Sequence, residues 1–207
     1  MHYEILDKNR IAILQLLKNF KNDFYLAGGT GLALQIGHRD SIDFDFFTDR
    51  HIDTEKLFYK IKEVFVGHKI DKMQEEKDTL GLIIDDEIKL SFMYYPYSLI
   101  EKTVENENIR IASISDIACM KLSAIVSRSV LKDYIDLFFI LKTFSLRQLL
   151  DLSKKKIPEL DENLILKSLV YFDDVEQENI MFKNNMNISF DEIKTEFIRQ
   201  VKDLNKK

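Results

Sequence analysis

Residues 28–47 read GGTGLALQIGHRDSIDFDFF, and the fold turns on how this stretch is understood. The chain has only six glycines, yet Gly28, Gly29 and Gly31 fall within four positions. Gly28 and Gly29 let the backbone turn sharply out of a strand, FYLAG at 24–28, into a helix through Leu32, Leu34 and Ile36, with Thr30 as its expected cap. A helix start of this kind attracts anions, because its first amide groups lack intrahelical acceptors. The SIDFDFF run at 41–47 then alternates as a strand does. Ser41, Asp43, Asp45 and Phe47 project to one side, and Ile42, Phe44 and Phe46 project to the other, which is the core side.

Two acids on one strand face need an explanation. Asp43 and Asp45 lie about 6.6 Å apart along the strand by its rise, and converging on one point they repel by about 4 kcal/mol at an intermediate dielectric. A divalent cation removes that penalty, and hard carboxylate oxygens suit Mg²⁺ or Mn²⁺, which keep positions open for phosphate oxygens and water. A phosphate cradle at a helix start with a metal-binding strand directly after it is a minimal apparatus for phosphoryl or nucleotidyl transfer. His38 and Arg39, between the two pieces, either touch phosphate or form an ordinary polar loop. A glycine pair alone also reads as a plain strand-to-helix turn, and a DxD alone as a solvent-facing sheet edge, so either by itself is a weak signal.

Composition narrows the classes. With 45% apolar and 31% charged residues the 207-residue chain reads as one compact soluble body with an appended part. No stretch approaches the roughly 20 uncharged apolar residues of a membrane span, residues 1–20 carry charges unlike a secretory leader, and the cytoplasm is the expected location. The single cysteine, Cys119, excludes an internal disulfide and reads as a buried thiol. A net charge of −5 gives no general attraction to nucleic acid, so any such contact needs a local patch. The Lys154–Lys155–Lys156 run is the obvious patch, although it also reads as a solvated helix end.

Periodicity changes near Ser113. Before it, strand-like runs (LGLII at 80–84, IKLSFMYY at 88–95, with Asp85, Asp86 and Glu87 as a hairpin turn) alternate with helical spacing at 53–65. After it, 115–126, 132–142 and 146–152 have helical spacing, and Ser189 with Glu192 forms a capping box before a last helix. The expected fold is α+β (α/β), a mixed sheet flanked by helices over residues 1–112, followed by a helical C-terminal region at 113–207 packed on that core. On a helix starting near Ser115, Lys121 and Arg128 share a face, Lys132 is spaced to meet Asp136, and Asp133 lies one turn before Asp136. These five residues read either as a surface ladder of helix ion pairs or as charge partners for a triphosphate.

GGT at 28–30, GHR at 37–39 and SIDFDFF at 41–47 together resemble the signature of the nucleotidyltransferase superfamily in its bacterial abortive-infection AbiEii toxin branch. KLSAIVSRSVLKDYIDLFFIL at 121–141 resembles that family's second conserved block, whereas the last fifty residues resemble nothing nameable. The resemblance implies a DNA-polymerase-β-like, nucleotidyltransferase-like core, an NTP donor, and a cognate antitoxin in a toxin-antitoxin system. Some members are similar to enzymes that add nucleotides to the acceptor end of tRNA, which makes tRNA or another RNA the implied acceptor. It further implies catalysis by Asp43, Asp45, Lys121 and Asp133, with Asp43 and Asp45 holding Mg²⁺ or Mn²⁺. Nucleotide binding then falls to Gly28, Gly29, Thr30, Arg39, Ser41, Arg128, Lys132 and Asp136.

One feature departs from that pattern. Two-metal transfer commonly uses a third carboxylate on a neighbouring strand, and IKLSFMYY offers Ser91 at that register. Asp85, Asp86 or Glu87 reaching in from the turn, Asp133 acting as base, or loss of catalysis would each account for it. Tyr94, Tyr95 and Tyr97 read as packing or as a stacking platform for a base. The rival readings are a catalytically inactive nucleotide-binding regulatory module and a plain structural or adaptor protein.

Overall fold

The computed structural model describes residues 1–176 and 178–204. After a 3-10 turn come α1 (Lys8–Leu17), β1 (Tyr25–Leu26), α2 (Gly28–Ile36), β2 (Phe44–Thr48), α3 (Thr54–Val64), β3 (Ile70–Glu76), β4 (Thr79–Ile84), β5 (Ile88–Tyr94), β6 (Val104–Glu105) and β7 (Arg110–Ile111). Five helices follow: α4 (Ile114–Ser127), α5 (Leu131–Ile140), α6 (Leu146–Lys156), α7 (Glu162–Val170) and α8 (Phe190–Leu204). The strands form one mixed sheet in the order β3-β4-β5-β2-β1-β7-β6, so the fold is α+β as expected. Among the described residues no helix is long and apolar enough to cross a membrane.

Local chemistry sets most element ends. Asp85 and Asp86 take φ of 53° and 60° in the β4–β5 turn, the left-handed pair that matches the twist of a tight hairpin. Asp53 caps α3 by accepting from Lys56 N, and Ser189 with Glu192 caps α8 reciprocally. β3 was not legible: seven mostly charged, exposed residues without clean alternation, made a strand by pairing with β4 and carrying a bulge at the sheet edge.

β2 lies centrally, parallel to β5 and antiparallel to β1. Phe44 and Phe46 enter the core, and Phe46 stacks on Phe92 at 5.2 Å between ring centroids. The strand is shorter than its sequence suggests. It begins at Phe44, so Ile42, expected in the core, is 50% exposed. One apolar core links residues from Ile5 to Phe197.

The lysine run is also corrected. Lys154 and Lys155 are exposed, but Lys156 is buried, bonding Asp116 Oδ1 at 2.7 Å and Ser98 O at 2.8 Å. Asp116 also accepts from the amides of Ile100 and Glu101, so this buried pair ties the start of α4 and the end of α6 to the 98–101 loop. Cys119 is buried as expected, and burial pushes its thiol up.

Candidate active site

The chain leaves β1, turns at Gly28 with φ +62°, and enters α2. Only glycine suits both positions here. A Cβ on Gly28 would sit 3.0 Å from Asp45 Oδ2, and one on Gly29 would sit 2.4 Å from Arg39 Nη2. Thr30 does not cap α2. It is buried, its hydroxyl lies 2.8 Å from Ser41 Oγ, and it donates to the carbonyl of Asp43. A β-branched hydroxyl one turn into the helix thus fastens α2 to the segment just ahead of β2.

Asp43 precedes the β2 ladder and Asp45 lies within it. Asp45 pairs in register with Ser91 of β5 and shares a hydrogen bond with it. The Asp45 carboxyl is raised, chiefly by burial and then by the charge of Asp43, against the opposing effects of Ser91, Lys121 and Arg128. Among the described residues none hydrogen-bonds or ion-pairs with the Asp43 carboxylate. Both acids line a polar cavity of about 360 Å³ together with Ser41, Lys121, Lys132 and Glu178. A second cavity of about 390 Å³ shares Gly29, Asp45, Lys121, Arg128 and Asp133 with the first and adds an apolar side of Phe47, Met93, Tyr95 and Met120.

The second block is no surface ladder. Lys121, Asp133 and Asp136 are buried. Asp136 accepts Arg39 Nε and Nη2 at 2.7 and 2.9 Å, His38 Nε2 at 2.7 Å and Lys121 Nζ at 2.5 Å. Burial alone would raise its carboxyl, but Lys121, Arg39 and the hydrogen bonds from His38 and Arg39 outweigh that and hold it well below the usual carboxylate range. Asp133 receives Lys121 at 2.7 Å and Arg128 at 2.9 Å. Its two oxygens are therefore occupied by cations, which it orients against the cavity. His38 and Arg39, open between phosphate contact and polar loop, serve Asp136. Lys132 does not meet Asp136 and pairs with Glu178 instead.

The turn acids do not reach the site. Asp85 bonds His68 and the amide of Lys69, Asp86 bonds Lys69, and Glu87 bonds Arg10 and Asn9. Tyr94 stacks on His51 at 4.6 Å, whereas Tyr95 packs edge-on to Phe47 at 5.8 Å and lines the apolar cavity.

Two participants escaped the sequence reading. Arg10, 2% exposed, donates to the carbonyl of Ile42 at 2.7 Å and so holds the peptide next to Asp43. Its signal was present, since Arg10 falls on the buried stripe with Ile13, Leu14 and Leu17. Glu178 carries no such signal.

A divalent ion fits this donor set in kind: two hard carboxylates on one cavity wall, one without a partner among the described residues and one pushed toward protonation by burial. Among the described residues no three His, Cys, Asp or Glu side chains gather to hold a metal.

Residues 13–203 match the family described as nucleotidyl transferase AbiEii toxin, type IV TA system. The protein aq_aa25 of Aquifex aeolicus (strain VF5) is 39% identical over 188 residues, 88% of either chain. A structure described as a nucleotidyltransferase from H. pylori superposes with a TM-score of 0.58 at 21% identity, covering 97% of this chain and 96% of its own. MenT4, a nucleotidyltransferase toxin from Mycobacterium tuberculosis H37Rv, superposes with a TM-score of 0.62 at 13% identity, covering 92% and 80%. At these identities the two structures show a shared fold.

Proposed function

The chain belongs to the AbiEii nucleotidyltransferase toxin family, and from that premise we propose that it transfers a nucleoside monophosphate from an NTP to an acceptor hydroxyl, with RNA, tRNA among them, as the acceptor class. The observation that carries this reading is the convergence of Asp43, Asp45, Gly29 and Lys121 on one polar cavity beside an apolar one. Phosphates suit the polar side, at the start of α2, and a nucleobase suits the side formed by Phe47, Met93, Tyr95 and Met120. The acceptor oxygen forms a bond to the α-phosphorus, the bond to pyrophosphate breaks, and the hydroxyl proton leaves to solvent or a nearby base.

Asp43 and Asp45 would hold Mg²⁺ or Mn²⁺, which when bound neutralises phosphate charge and polarises the reacting centre. Lys121, fixed between Asp133 and Asp136, lies against the departing pyrophosphate. Asp133 and Asp136 act by holding cations in place, and the Gly28–Gly29 turn admits phosphate oxygens close to the backbone. Residues 1–112 carry the acids on this reading, and the helices from residue 113 bring the cations. A toxin of this kind works in the cytoplasm and is restrained by a cognate antitoxin.

A second reading is favoured by Ser91, which stands beside Asp45 where a third carboxylate commonly sits. Under it the protein binds nucleotide as a regulatory module without turnover. Incubation with labelled NTPs, Mg²⁺ and total cellular RNA separates the two. Transfer by the wild type and none by Asp43→Asn is expected, and equal labelling by both proteins overturns the enzymatic reading.

A further inference from the structure

Among the described residues four cations line the polar cavity, and three of them are tied to the α5 framework. Arg39 is bound to Asp136, Lys121 to Asp133 and Asp136, and Arg128 to Asp133. Both acids are at most 1% exposed. Lys132 differs. Its partner, Glu178, comes from the chain that returns after α7, and the two side chains are 44% and 32% exposed.

That returning chain is fastened on both sides of the cavity. On one side Glu176 N donates to Ser129 O at 2.9 Å, and Leu131 N donates to Glu176 O at 3.3 Å, at the α4–α5 junction. On the other, Asp40 N donates to Met181 O at 2.8 Å, Lys183 N donates to His38 O at 3.0 Å, and Asn184 donates to Gly37 O at 2.8 Å. Glu178 lies between these anchors and lines the cavity with Asp43 and Asp45. Its Oε2 bonds Lys132, whereas its Oε1 is buried and receives no hydrogen bond from the described residues.

We propose that Glu178 stands in for a substrate phosphate, neutralising Lys132 in the nucleotide-free chain and giving way when the triphosphate enters. The inference rests on the nucleotide reading of the cavity. A partly exposed carboxylate–ammonium pair is a weak interaction. A half-satisfied carboxylate is also readily released, because hydration recovers the hydrogen bonds missing at Oε1. A multiply charged phosphate at the same ammonium is the stronger partner. The cost of displacing Glu178 therefore lowers nucleotide affinity.

The test is calorimetric titration of the full chain with each of the four NTPs, Ca²⁺ replacing Mg²⁺ to prevent turnover. Glu178→Gln should bind its preferred NTP about fivefold or more tightly than wild type, and Lys132→Met should bind more weakly by a similar factor. The double variant should gain less over Lys132→Met than Glu178→Gln gains over wild type, since the part of the effect that runs through that lysine is then absent. Unchanged or weaker binding by Glu178→Gln overturns the inference, as does full tightening in the Lys132→Met background. If the folded wild type binds no NTP, the nucleotide reading falls with it. Binding by wild type without the Glu178 effect removes the inference alone.

Discussion

Arg39 grips both oxygens of Asp136, through Nε at 2.7 Å and Nη2 at 2.9 Å, joining positions 97 residues apart in the chain. The pair ties the loop before β2 to α5, and Lys121 bonds the same carboxylate from α4. The acids of β2 and the cations of the helices are thereby held in one arrangement.

Removing one side of that pair leaves buried charge without a partner. Asp136→Asn is expected to cost about 3 to 5 kcal/mol of stability. Urea unfolding measures this directly, and a midpoint equal to wild type would contradict the anchoring role.

Acid should act first through His38. Burial keeps its imidazole pKa low, more than the Asp136 bond raises it. The unfolded chain binds a proton near pH 6.5 that the fold refuses, so stability is full above that value and falls as pH drops from it toward the depressed folded pKa. Asp136 has the opposite ordering: its contribution is complete above about pH 3.9 and is lost only as pH falls through its much lower folded value. Melting curves between these limits should therefore show a decline that His38→Gln reduces. An identical pH dependence in the variant excludes His38 as its source.

The two glycines predict different damage. Gly28→Ala forces a side chain into φ +62° with its Cβ 3.0 Å from Asp45 Oδ2, so nucleotidyl transfer should fall further than stability. Gly29→Ala meets Arg39 Nη2 at 2.4 Å, and that guanidinium is locked on Asp136, so overpacking should destabilise by about 1 to 3 kcal/mol. Parallel assays of activity and melting temperature decide, and a Gly28→Ala protein with full activity refutes the close approach to Asp45.

Asp43 lies outside the β2 ladder, and its backbone is steadied by Thr30 on its own carbonyl and by Arg10 on that of Ile42. Thr30→Val and Arg10→Met should each weaken Mn²⁺ binding, followed by electron paramagnetic resonance, by about tenfold or more. Arg10→Lys, which keeps one donor, should recover part of the loss. Folded Thr30→Val with wild-type Mn²⁺ affinity would show that Asp43 needs no such support.

Legibility followed the range of the interactions. The glycine turn, the alternation of Phe44, Asp45 and Phe46, the α8 capping box and the Ser91 register are set within a few residues or by strand parity, and all were readable. Short β6 and β7, the charged edge strand β3, and the exposure of Ile42 were not, because pairing with neighbours and the point where the ladder starts decide them. Within the site, helical spacing put Lys121, Arg128, Asp133 and Asp136 in one region but assigned Lys132 the wrong partner.

The amino-acid sequence by itself determined that Asp43 and Asp45 would lie near a glycine-led helix start, and that a helical block rich in paired charges would follow. Tertiary structure alone decided which cation meets which acid: Arg39, His38 and Lys121 on Asp136, Arg128 on Asp133, Lys132 on Glu178. The physical reason is that periodicity records local backbone geometry, whereas ion pairing depends on which elements pack together. Several acids of equal charge compete for each lysine or arginine, and only the packed fold brings one of them within reach.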